Sequence, residues 1–164
     1  MAYSTIPKVR RDAALTLKDG TGVPVTLTVA YEEGNMAFDQ PLDDQTVIRS
    51  RSVIKTVRKS DEQPITGSFT FFFREFTSSD AGGVRDFVTG SNAYSANIST
   101  GTAGTPYVEH YCVDIQFDVE GTDLGDSKDH VATFSKCVCS LSFSEGDPDT
   151  WSLSFTCYGG VSYT

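Results

Sequence analysis

The chain of 164 residues sets 13 Lys and Arg against 22 Asp and Glu, a net charge of −9, which excludes nucleic acid held on a basic face. Its 38 % hydrophobic content, with 11 Phe, 7 Tyr and 1 Trp, excludes a disordered chain, and the length fits one domain that buries a core without staples. No run approaches the roughly 18 apolar residues of a membrane span, and the opening MAYSTIPKVRRD lacks the apolar stretch of a secretory leader.

Residues 1–12 read as an arm, with Pro7 blocking an early helix and Lys8, Arg10 and Arg11 clustered. A single β-rich domain is expected over 13–164. Leu15 and Leu17 alternate, the Asp19-Gly20-Thr21-Gly22 stretch turns, and Val25, Leu27, Val29 and Tyr31 alternate again. That pattern predicts a β-hairpin with one apolar face. Phe38 to Asp44 reads as a loop around Pro41. Residues 45–59, QTVIRSRSVIKTVRK, hold Arg49, Arg51, Lys55, Arg58 and Lys59 and no acid. Strict alternation leaves neither face of this run cleanly apolar, so it reads as an edge strand, a bent strand or a long loop. Its basic cluster suits the acidic segments of a neighbouring copy.

Ile65 to Phe76 is strongly β-forming, with Phe69, Phe71 and Phe73 on one face and Phe72 on the other, as in a strand buried on two sides. TSSDAGGVRDFVTG is the one helix candidate, over 80–88: Ser78 or Ser79 caps it, Asp80 suits its positive end, and Val84, Phe87 and Val88 form its apolar stripe. Residues 91–106 read as a Ser/Gly/Thr-rich loop. From Tyr107 to Gly121 a long strand sets Tyr111, Val113, Ile115, Phe117 and Val119 against His110, Cys112, Asp114, Gln116 and Asp118. The runs 130–145 and 151–158 flank Gly146-Asp147-Pro148-Asp149, a second hairpin signal. The sum is an all-β protein, a β-sandwich or open barrel of about seven or eight antiparallel strands with one short flanking helix.

Chemistry-bearing motifs are scarce. Gly20-Thr21-Gly22 lacks the lysine and the strand-to-helix setting of a phosphate loop. His110 and His130 each neighbour an acid, yet adjacent strand residues point to opposite faces, so neither forms a triad. His110, Cys112, Cys137 and Cys139 form a zinc candidate with one residue between ligands where structural sites usually have two or more. The plainer reading makes Cys112, Cys137, Cys139 and Cys157 reduced, small hydrophobes. No catalytic, cofactor or metal residues are therefore assigned, and no enzyme activity is expected.

Taken together, the N-terminal arm, LTLKDGTGVPVTLTVAYEEG, ITGSFTFFFREF, DAGGVRDFVTG and CVCSLSFSEGDPDTWSLSFTCYGG resemble the tail tube (major tail) proteins of long-tailed bacteriophages. The resemblance is distributed over most of the chain. It implies a virion structural protein, assembled in the host cytoplasm, that forms homohexameric rings. These stack around an assembly scaffold into the viral tail tube, through which DNA passes at ejection. It further implies that the arm and the loop 39–64 join ring to ring, making Lys8, Arg10, Arg11, Arg49, Arg51, Lys55 and Arg58 interface residues, and that Asp114, Gln116 and Asp118 face the lumen. A tail-terminator, tail-completion or tail-tip ring protein of the same fold is the main alternative. A carbohydrate-binding sandwich, stacking sugar on Trp151, Tyr158 and Tyr163, is the other.

Overall fold

A computed structural model describes residues 13–19, 23–29, 35–73, 83–91, 111–121 and 128–164. Lys8, Arg10 and Arg11, the helix caps Ser78, Ser79 and Asp80, and His110 lie outside them. Ten strands run in chain order: β1 Ala13–Lys18, β2 Thr26–Thr28, β3 Ala37–Asp39, β4 Gln45–Ser50, β5 Val53–Lys59, β6 Ile65–Phe72, β7 Val113–Val119, β8 His130–Ser144, β9 Thr150–Cys157 and β10 Val161–Tyr163. One helix, α1, spans Gly83–Thr89 between β6 and β7. Among the described residues no helix is long and apolar enough to cross a membrane.

The chain is mostly β, in an eight-stranded sheet of order β2-β1-β7-β8-β9-β6-β3, with β10 also pairing β8, and a separate two-stranded ribbon, β4-β5. Alternation fixes which side each strand buries. Leu15 and Leu17 of β1 pair with Phe117 and Ile115 of β7, and Ile115 pairs with Phe134 of β8. On the far half, Phe69 pairs with Leu153, and Leu153 with Leu141. These apolar rows meet in one core with Phe87 and Val88 of α1.

The fifteen-residue β8 joins the two halves. Its first part, at Ala132 to Phe134, pairs with β7 and β10, and from Cys137 onward it pairs with β9. The change occurs at a bulge: Val113 faces Cys137 but Ile115 faces Phe134, and Lys136 takes a φ of 55°. The extra residue restores Phe134 and Cys137 to the same side. The freed Lys136 N–H donates to Asp114 Oδ1 at 2.8 Å.

The mostly β fold with one short helix agrees with the sequence expectation at that level, and the main sheet stays open. No pairing joins β2 to β3 among the described residues, so the sheet is not closed into a barrel. The physical reason lies at the edges. Both are three-residue strands, and the chain leaves β3 for the separate ribbon instead of extending the sheet. The sheet is not closed into a barrel, and the fold of the single chain does not carry the virion, viral-tail, homohexamer and DNA-ejection descriptors that the resemblance implied. A second correction concerns β6. Only one of its faces is buried, through Ile65, Phe69 and Phe71, while Thr66 and Ser68 on the other are exposed.

The helix ends by a defined device. Ser91 N–H bonds Asp86 C=O at 2.9 Å and Gly90 N–H bonds Phe87 C=O at 3.3 Å, with Gly90 at φ 64°. This is the paired closure of a Schellman motif. Tyr111 Oη donates to Phe87 C=O at 2.6 Å, and its ring lies 3.1 Å from where a Cβ on Gly90 would stand. Gly90→Ala therefore combines left-handed strain with crowding of a half-buried ring. A loss of about 1–2 kcal/mol is expected in urea unfolding; no measurable change would show that the closure is dispensable.

Candidate assembly surfaces

The most exposed element is the β4-β5 ribbon, in which every residue from Gln45 to Lys59 is exposed. Arg51 and Ser52, at φ 51° and 66°, make its two-residue turn. Left-handed backbone at both central positions matches the twist of a tight hairpin, although Gly or Asn usually fills them. A second bulge sets the faces: Ile48 pairs with Thr56 but Arg49 pairs with Ile54, leaving Lys55 as the extra residue. Cross-strand partners share a face. One face therefore carries Val47, Ile54 and Val57, and the other carries Ile48 and Val53. Val53, Ile54 and Val57 are 62 %, 52 % and 49 % exposed.

The ribbon is anchored at its root. Lys59 Nζ meets Asp43 Oδ2 at 2.5 Å, and this hydrogen-bonded pairing raises the lysine pKa. Ser60 N–H donates to Asp44 C=O at 2.7 Å, and Gln63 Nε2 to Asp44 Oδ2 at 2.8 Å. Of the interface residues expected from the sequence, Arg49, Arg51, Lys55 and Arg58 come together here, all exposed. The segment holds five of the 13 cationic residues and none of the 22 acids, which leaves eight cations against 22 acids on the rest of the chain. Strict alternation did not reveal the apolar patches because the turn and the bulge each shift the parity.

The outer face of the main sheet is the second surface. Its rows run Thr66–Thr156–Val138, Ser68–Ser154–Ser140, Thr70–Ser152–Ser142 and Phe72–Thr150–Ser144 across β6, β9 and β8. All but Val138 and Phe72 are hydroxyl residues. The same face continues onto β7 through Asp114, Gln116 and Asp118, whose neighbours Val113 and Ile115 point into the core. Gln116 Nε2 donates to both Asp118 oxygens, at 2.7 and 2.9 Å, and Gln116 Oε1 accepts from Lys18 Nζ. The alternation of β7 was legible in the sequence. The hydroxyl rows were not, because they form only once β6, β9 and β8 lie side by side.

At the end of these strands the apolar face runs past the core. Phe143 meets Trp151 at 5.2 Å and Phe73 at 5.7 Å, both edge to face. Trp151 is thus packed among other rings, whereas Tyr158 and Tyr163 line separate hollows. Of the zinc candidates, Cys112, Cys137 and Cys139 are described; among the described residues no group of three or more ligand-type side chains is placed to hold a metal. No family model and no curated protein sequence matches the chain.

Proposed function

We propose that this chain is a structural subunit that builds rings from its own copies and stacks them into a tube. The ring and the tube come from the sequence resemblance. The ribbon is the observation that supports assembly. A lone two-stranded hairpin is marginal in water, and this one exposes aliphatic side chains on both faces. A partner surface supplies the burial it lacks. Its cations face an otherwise acidic chain, so the partner of matching charge is another copy. Among the described residues no strand pairs with the outer sides of the short edges β2 and β3, and neighbours in a ring would complete them.

The hydroxyl face suits the lumen. Hydroxyl groups make up most of it, with Phe72 and Val138 only partly exposed, and Asp114 and Asp118 repel a polyanion moving past it. Electron microscopy and sedimentation at low and high salt test the reading. Rings or hollow tubes are expected at low ionic strength, and their subunit number reports the symmetry. Salt should weaken the ribbon contacts, because charges at an exposed joint are screened within about 8 Å at physiological ionic strength. A chain that stays monomeric at high concentration in every salt condition overturns the proposal.

A further inference from the structure

We propose that Cys137 and Cys157 are a peroxide-reactive pair that closes into a reversible disulfide, an oxidation site independent of the assembly reading. The two stand directly opposite each other in the β8–β9 register. Cross-strand partners have Cα atoms about 4.5–5.5 Å apart, inside the roughly 4.4–6.8 Å span of disulfides, and their side chains share a face. Of the other two cysteines, Cys139 stands opposite Phe155 and Cys112 precedes β7. Cys137 and Cys157 are free thiols in the structure.

Cys137 Sγ donates to Phe134 C=O at 3.4 Å, and both thiols belong to the same buried core. The neighbouring Cys137 side chain lowers the Cys157 pKa to about 7 against the effect of burial, with backbone groups of Gly159, Gly160 and Ser135 adding to the lowering. Cys137 moves the other way, held protonated first by its Cys157 neighbour and then by burial. While protonated, Cys157 donates to Ser135 C=O at 3.0 Å. A route for a small oxidant exists, since Cys157 helps line a hollow of about 420 Å³ with Gln40, Asp43, Glu62 and Tyr158. Both thiols are otherwise buried, which favours peroxide over a bulky disulfide reagent.

The chemistry balances in two steps. The Cys157 thiolate attacks one peroxide oxygen, the O–O bond breaks, and after proton transfer Cys157 carries a sulfenic acid and one water leaves. Cys137 sulfur then attacks the Cys157 sulfur, the S–O bond breaks, and the hydroxyl departs with the thiol proton as a second water. Two thiols are oxidised and one peroxide is reduced. A reducing compartment keeps the dithiol, and an oxidising one staples β8 to β9 beside the Lys136 bulge.

The test treats the intact protein with hydrogen peroxide, blocks remaining thiols with an alkylating agent, and maps non-reduced peptides by mass spectrometry. The expected product joins the Cys137 and Cys157 peptides with the loss of two hydrogens, reverts with dithiothreitol, and forms faster as pH rises through about 7. The oxidised protein should melt about 5 °C higher. Cys137→Ser should leave a sulfenic acid at Cys157 that dimedone captures. Alkylation of both residues after peroxide, or a disulfide that uses Cys112 or Cys139 instead, overturns the proposal.

Discussion

Val57→Asp is expected to leave the subunit folded and to abolish its assembly. Val57 pairs with Val47 in the ribbon, shares a face with Ile54, and is half exposed in the single chain. The ribbon forms its own sheet, outside the core of Leu15, Phe69, Phe134 and Leu153. An aspartate there stays hydrated in the monomer, so unfolding stability should change by less than about 0.5 kcal/mol. In the assembled state the same carboxylate would be buried against a neighbour that is itself acidic. Burying an unpaired polar group costs several kcal/mol, and about 3 kcal/mol corresponds to a hundredfold rise in the concentration needed for assembly. Sedimentation across a concentration series, beside far-UV circular dichroism, reads both effects. Tubes of the variant at wild-type concentration would remove the ribbon from the joint.

Phe134→Ala should be the most damaging single substitution for the fold, with an expected loss of about 3–5 kcal/mol. That is a large part of the roughly 5–15 kcal/mol typical of a domain. Phe134 is fully buried and lies between the halves of the sheet: Ile115 of β7 and Val161 of β10 are its strand partners. Its ring meets Phe155 at 5.3 Å and Phe38 at 5.0 Å, edge to face in the second case. No side chain nearby can fill the space without leaving its own place in a strand. Because Phe38 belongs to β3, which leads into the ribbon, the cavity should also loosen the ribbon root. Urea unfolding of the monomer at high salt measures the cost, and a loss under about 1 kcal/mol would show that the two halves are held by other contacts.

What could be read from the sequence was whatever depends on neighbours along the chain. The alternation of Val113, Ile115 and Phe117 set the buried side of β7, and Cys137, Leu153 and Phe155 likewise fell on the buried side. Gly146 to Asp149 marked the turn between β8 and β9, where Gly146 N–H bonds Asp149 Oδ1 at 2.8 Å. Val84, Phe87 and Val88 marked the helix stripe, although α1 begins at Gly83 and ends at Thr89.

The errors arose where one residue breaks the period. Lys55 shifts the ribbon faces and Lys136 shifts those of β8, and each bulge is stabilised by pairing with a strand that local sequence does not name. Arg51 and Ser52 make a left-handed turn without glycine, so no local signal announced the hairpin. The three-residue β3 and β10 exist only because β6 and β8 supply partners for their backbone groups. Sequence by itself determined a β-rich chain, the buried side of its long strands and a basic segment on an acidic body, since composition and period-two alternation are local properties. Tertiary structure alone decided that the sheet stays open, that 45–59 stands apart as a ribbon, that the hydroxyl rows align and that Cys137 meets Cys157. Each of these depends on long-range strand register, which no local pattern encodes.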